Sequence, residues 1–341
     1  MKRWGFGCSG IILLLLTTIY LLLTPVLAHV PVFGGEGTNP EKAIPVEDPA
    51  KSRVLYGQLV GGDLRYYSFE MEKGEKIVLG LTVPVEQGRK GFTPNLLLMG
   101  PGITDEGKVA EKIEVPEKYG VKVFPWILPE SPVYEPFTPG AFYSLSTSDL
   151  EAPESGKYYV VVSSEQGEGN YGIVIGYKET FTLKEWISVP LNQIKIYRWE
   201  GQSLILIFAP FMIILAAGLL TLFFKRETVA GFNPARISGV FAGLFFLGTG
   251  LSFILQMLIS LSKSSYSSEI VVTLVLILAN IGLGVTALFL SLKNEDYGAT
   301  STRKRLYFFG LGITGLLLWA GWFLGPLLAF EAALLPWKRK G

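Results

Sequence analysis

Four apolar runs in the second half of the chain constrain its fold more than any other feature: residues 203–224, 237–261, 270–292 and 306–324. Each is about long enough to cross a hydrocarbon core of roughly 30 Å as a helix. Backbone groups in lipid must find their hydrogen bonds within the segment, so the runs predict an α-helical transmembrane bundle. No Asp, Glu, Lys, Arg or His lies inside them, and Gln256 and Asn280 are their strongly polar residues. Coupled ion or proton transport normally uses ionisable groups at membrane depth. A pump is therefore disfavoured, while a passive channel or transporter for a small neutral molecule stays open as a weaker alternative. Glycines at Gly239 and Gly243, and again at Gly321 and Gly325, carry the small-residue spacing that lets helices approach closely, within the bundle or against another membrane protein.

Charge around these runs sets an orientation. Lys225, Arg226, Arg236, Lys293 and the cluster Arg303, Lys304, Arg305 fall on one side, whereas the loop 262–269 on the other side holds a single base, Lys263. The basic side is the cytoplasmic one. Residues 327–337 are too short to span, and the basic Lys338, Arg339 and Lys340 follow them. This end is either an interfacial helix outside or a re-entrant half-helix; span count favours the first and charge the second, and we take the first as the expectation.

The first residues have the composition of an export signal. Lys2 and Arg3 precede an apolar stretch at 11–23, and Pro25, Val26 and Ala28 suit cleavage before His29. An uncleaved signal anchor at 1–28 is the alternative. Either way, the chain from His29 to Gln202 is expected outside the cytoplasm. That part holds 17 Lys and Arg against 24 Asp and Glu, whereas residues 203–341 hold 11 against 5. An acidic exported part carries no nucleic-acid footprint. Cys8 is the sole cysteine, so a disulfide framework within one chain is ruled out.

The exported part reads as strands. In 54–84, Ile77, Leu79, Leu81 and Val83 share one face and Val78, Gly80 and Thr82 the other, as a half-buried strand requires. Tyr67 and Phe69 alternate with Ser68 and Glu70, residues 95–99 form a short apolar strand, and 157–178 supplies two more. Residues 29–53, rich in Pro, Gly and Glu, read as an extended arm instead of a packed element. A Pro-rich insert at 103–155 is confined to loops and edges, with edge strands near 121–124 and 142–145. Residues 180–202 form a juxtamembrane linker in which Trp186, Tyr197 and Trp199 beside Lys184, Lys195 and Arg198 suit the lipid headgroup layer; a last strand plus linker is the other reading. The fold class expected is an all-β, jelly-roll-like β-sandwich ectodomain at 54–179 plus a helical bundle at 203–337.

The order of these blocks resembles a known family. A strand, Gly62-Asp63, the Tyr67–Phe69 strand, a glycine turn at Gly74 and an alternating strand are followed by a Leu run at 96–98. Ser155-Gly156-Lys157-Tyr158-Tyr159 and Asn170-Tyr171-Gly172-Ile173 close the series. The pattern is similar to the bacterial pre-peptidase C-terminal domain, a small β-sandwich appended to secreted proteins. The resemblance implies an accessory module without catalytic residues of its own. Arg65 stands where that family often carries an acid two places before the strand tyrosine, which argues against a calcium or polar-ligand role tied to that acid.

Candidate chemistry is sparse. His29 is the sole histidine, so a Ser-His-Asp triad would need it and a two-His metal site is not available within one chain. If cleavage exposes His29 as the N-terminus, its amine and imidazole can hold copper; that is the metal alternative. Otherwise no cofactor is expected, and the chain is expected not to be an enzyme. Aromatics in the insert (Phe124, Trp126, Tyr134, Phe137, Phe142 and Tyr143, with Glu135 among them) form a recognition surface, cap one sandwich end or rest on the membrane. These readings converge on a multi-pass membrane protein displaying a sandwich outside, with lipid and other envelope or membrane proteins as partners, in a binding or scaffolding role.

Overall fold

A computed structural model describes residues 29–165, 167–225, 233–293 and 299–337. The export signal expected at 1–28 lies outside them, as does Cys8. Among the described residues eleven strands build two facing sheets. In chain order they are β1 (Val30–Phe33), β2 (Ile44–Pro45), β3 (Arg53–Leu59), β4 (Leu64–Met71), β5 (Lys76–Pro84) and β6 (Asn95–Gly100), with the short helix α1 (Val85–Arg89) between the last two. β7 (Gly120–Phe124), β8 (Val133–Glu135), β9 (Gly140–Glu151), β10 (Gly156–Ser163) and β11 (Gly169–Ile175) follow. One sheet runs β1-β3-β11-β5-β9-β8 and the other β2-β4-β10-β6-β7. The β1–β3 and β2–β4 pairs are parallel and the remaining pairs antiparallel.

Period-two alternation decides what each strand buries. Ile77, Leu79, Leu81 and Val83 of β5 face Tyr67 and Phe69 of β4, Leu96 and Leu98 of β6 and Val160 and Val162 of β10 in one core. Tyr67 and Tyr171 share a hydroxyl–hydroxyl hydrogen bond of 2.8 Å inside it. The opposite face of the five-stranded sheet is also apolar: Tyr66, Leu97, Met99, Tyr159 and Val161 pack beneath Ile113 and its neighbours in the loop before β7.

Two boundaries change. Residues 29–53 are not a free arm: β1 edges one sheet, β2 edges the other, and Val30 and Val46 are buried. Their prolines, Pro31 and Pro45, sit where edge strands tolerate them. Residues 103–155 are not an insert either, because β9 is a twelve-residue inner strand paired to β5 along its length, with β8 as the true edge. The prolines fall between these strands.

The second half is helical: α2 (Leu183–Trp199), α3 (Leu204–Phe224), α4 (Pro234–Leu261), α5 (Ile270–Leu292), α6 (Ala299–Leu317) and α7 (Leu324–Leu334). Among the described residues α3, α4 and α5 are long and apolar enough to cross a membrane. The linker at 180–202 is thus a helix, started by a reciprocal capping box between Thr182 and Glu185. The run 306–324 is not one span. Helix α6 stops at Leu317, and Trp319, Gly321 and Trp322 take left-handed backbone angles of 50°, 65° and 53°. The chain then returns: Arg305 Nε donates to the Ala333 carbonyl at 2.7 Å, and Asn233 Nδ2 donates to that of Trp337 at 2.6 Å. The end of α7 therefore lies beside the starts of α6 and α4. This is the geometry of the re-entrant alternative and not of an interfacial helix on the far side. Gly321 accordingly sits in a turn and not in a helix, yet both it and Gly325 lie close against Phe246 of α4, where an added methyl group would come within 3.0 and 2.8 Å of the ring. Gly239 and Gly243 do face neighbouring helices: a methyl group on Gly243 would lie 2.9 Å from the Gly284 carbonyl oxygen.

Candidate functional site

The outer face of the six-stranded sheet is covered by α2. Alternation turns Val54 and Tyr56 of β3, Thr82 of β5, Phe142 of β9 and Val174 of β11 toward that helix, while Leu55, Leu81, Tyr143 and Ile173 enter the core. Both ends of α2 are tied to the sandwich. Lys51 Nζ donates to both Glu185 carboxylate oxygens, at 2.8 and 2.6 Å. At the other end Trp199 Nε1 donates to the Tyr171 carbonyl at 3.0 Å, Asn170 Nδ2 donates to the Trp199 carbonyl at 2.7 Å, and the Trp199 ring meets Tyr56 edge-on at 5.0 Å.

The same region seats on the membrane-type helices. The Tyr134 and Thr273 hydroxyls are 2.7 Å apart, and Thr273 Oγ1 donates to the Pro136 carbonyl at 2.7 Å. Gln202 and Gln256 exchange two amide hydrogen bonds of 2.7 and 2.9 Å where α2 gives way to α3. Trp319, in the turn after α6, packs against Trp186 with ring centroids 4.2 Å apart and planes tilted by 39°, and donates its Nε1 hydrogen to the Trp186 carbonyl at 3.0 Å. Sheet, α2, α5 and the α6–α7 turn thus close around a common space.

That space is a chamber of about 560 Å³. Its walls are mostly apolar and aromatic, with Phe137, Phe142, Trp186, Trp199 and Trp319 prominent. Its polar groups include His29, Glu135, Gln193 and Glu200. Glu135 and Gly140 are cross-strand partners, and a methyl group on Gly140 would strike the Glu200 carboxylate, so the two glutamates meet at one point of the wall. Glu135 Oε1 accepts the Phe137 backbone N–H at 3.1 Å, and Glu200 Oε2 accepts Gln202 Nε2 at 3.3 Å. Burial pushes the Glu135 carboxyl up to about 7, its own strand-end N–H bonds opposing the shift and Glu269 adding to it. Burial likewise raises Glu200 to about 7, against the pull of Lys263 and its hydrogen bonds and with a further push from Glu135. The same burial raises the Tyr56 and Tyr197 hydroxyls and lowers His29.

The residues singled out from sequence do not form one surface. Phe124 and Tyr143 are core residues, 5% exposed each, and Trp126 points to solvent at 44%. Tyr134 is buried at the joint with α5. Glu135, Phe137 and Phe142 do come together, in the chamber, and His29 joins them there. His29 Nδ1 is hydrogen-bonded to Ser52 Oγ, and no group of three metal-ligating His, Cys, Asp or Glu side chains occurs among the described residues. Sequence reasoning missed Glu200, Tyr56 and Gln193. The signal for Glu200 was its place between Trp199 and the first apolar run, an acid held next to the membrane with no base beside it on its C-terminal side.

No family model and no curated protein matches the chain. Solved structures do share the sandwich arrangement. A periplasmic inhibitor of g-type lysozyme, PliG from Salmonella Typhimurium, is 20% identical over 40% of this chain and 98% of its own, with a TM-score of 0.22. The pre-peptidase C-terminal domain of a Bacillus anthracis collagenase is 15% identical over 44% of this chain and 99% of its own, TM-score 0.21. CorA, a surface-associated copper-binding protein of Methylomicrobium album BG8, is 11% identical over 43% of this chain and all of its own, TM-score 0.19. Likeness at this level carries no conclusion about activity. The chain is a two-sheet sandwich, similar in arrangement to pre-peptidase C-terminal domains and PliG, followed by membrane-type helices.

Proposed function

We propose that this chain is a non-catalytic, multi-pass binding protein of the cell membrane, whose ligand chamber lies at the joint between an extracytoplasmic sandwich and its membrane helices. The observation that carries the reading is the chamber itself. Its volume of about 560 Å³ falls in the range of small-molecule sites, and its pattern of apolar walls with few converging polar groups is theirs as well. Its polar groups suit binding better than turnover. Ser52, the hydroxyl beside His29, is 2% exposed and does not line the chamber, so the pair presents no nucleophile to it.

The test uses full-length protein in lipid nanodiscs and a Val174→Trp variant, which fills the chamber from the outer face of β11. Small amines, alcohols and carboxylic acids are screened by thermal shift. At least one compound is expected to raise the Tm of the parent protein and not that of the variant. The reading falls if no compound distinguishes them, or if any compound is chemically converted.

A further inference from the structure

We propose that the chamber takes a hydrophobic ammonium ion, a positively charged amine on an apolar body, with its nitrogen held between Glu135 and Glu200. This rests on the reading of the chamber as a ligand site and names the ligand's chemistry.

The first reason is an uncompensated charge. Neither glutamate forms an ion pair among the described residues, and no lysine or arginine is among the residues lining the chamber; Lys263 acts on Glu200 from outside the lining and beyond ion-pair distance. Glu200 is 7% exposed. A buried carboxylate without a counter-charge is costly; it must take up a proton or recruit a cation. That both carboxyls titrate near 7 agrees with a pair lacking its cation.

The second reason is unused hydrogen-bonding capacity at the same point. Each carboxylate offers about four acceptor positions, and the bonds described above leave some of them open. The Tyr197 hydroxyl is not among the lining groups, but it lies within electrostatic reach of both carboxyls, is buried at 4% exposure, and has no hydrogen-bond partner among the described residues. An ammonium group donates to such acceptors, and the rings of Tyr56, Phe142 and Trp199 supply the aromatic surroundings that favour a cation.

The walls exclude the alternatives. Calcium takes six to eight oxygens, and no group of three metal-ligating side chains is present among the described residues. A phosphate or carboxylate head would meet two like charges. The aliphatic and aromatic remainder, including Val174, Leu276 and Leu318, fits a hydrocarbon body better than a polyamine.

Calorimetry on full-length protein in nanodiscs at pH 8 tests this with n-octylammonium, n-octanol and octanoate, with Val174→Trp nanodiscs as the lipid-partition blank. Octylammonium is expected to bind at least tenfold more tightly than octanol. The Glu135→Gln/Glu200→Gln variant should lose at least tenfold for the amine and keep octanol affinity within twofold, which also shows that it is folded. A preference below tenfold in the parent protein overturns the ammonium assignment and leaves the chamber reading standing. If none of the three exceeds the blank, both fall.

Discussion

Replacing Glu200 by glutamine should make the protein more stable at pH 8 and leave it nearly unchanged at pH 5. The Glu200 carboxyl titrates at about 7 in the fold, against an ordinary value of 4.5. The folded chain therefore holds a proton that the unfolded chain releases. The stabilisation is fully present below pH 4.5 and is lost as pH rises through 7. Each pH unit of that interval is worth about 1.4 kcal/mol, so the loss approaches roughly 3 kcal/mol for this one group. Glutamine preserves shape and keeps one acceptor oxygen, and removes the charge. Spread over a domain of this size, about 3 kcal/mol corresponds to a Tm difference of roughly 6–12 °C. Thermal unfolding of the nanodisc-embedded protein, followed by tryptophan fluorescence from pH 5 to 8 without added amine, measures it. The parent Tm should fall across this range and the Glu200→Gln Tm should fall less. A variant less stable than its parent at pH 8 would falsify the claim that Glu200 is buried without a cationic partner.

Three further outcomes follow from the packing. Gly243→Val should destabilise the α4–α5 contact by about 1–3 kcal/mol, because the new side chain meets the Gly284 carbonyl and Leu288; an unchanged Tm would show that the helices can part without cost. Tyr171→Phe leaves the Tyr67 hydroxyl without its buried partner and should cost about 1–3 kcal/mol, most of it recovered in the Tyr67→Phe/Tyr171→Phe double variant. In a Cys8→Ser background, single cysteines at Arg303 and Pro336 should react with a membrane-impermeant thiol reagent from the same side, and one at Ser264 from the other. Labelling of Pro336→Cys together with Ser264→Cys would refute the returning α6–α7 hairpin.

Much of the architecture is legible in the residues because the two periodicities are clean where burial is one-sided. The β5 alternation, the short β6 run and three apolar helices follow from it directly. Proline hid the rest. Pro31 and Pro45 look like punctuation, yet both lie in edge strands, and prolines gathered between β7, β8 and β9 disguised a twelve-residue strand as an insert. The helix α2 was read as a linker from its aromatic and basic residues, although Thr182 and Glu185 already spelled a capping box. The chamber was half legible. Glu135 and Phe142 stood out as residues, but their meeting with Glu200 depends on how α2 folds back over the sheet, which no local pattern encodes. Phe142 and Tyr143 illustrate the limit: adjacent aromatics of one strand go to opposite faces, one into the chamber and the other into the core.

The turn between α6 and α7 has a consequence for the order in which the protein assembles. Trp319 and Trp322 hold left-handed angles that cost an L-residue about 1–2 kcal/mol each. What offsets that cost comes from other helices: Trp319 rests on Trp186 of α2, Trp322 meets Phe208 and Phe211 of α3 at 5.4 and 4.6 Å, and the Gly321 N–H donates to Thr249 Oγ1 of α4 at 2.7 Å. Before those partners are in place the turn has no reason to close. Closure of the hairpin, and with it the last wall of the chamber, is therefore expected to depend on α2, α3 and α4.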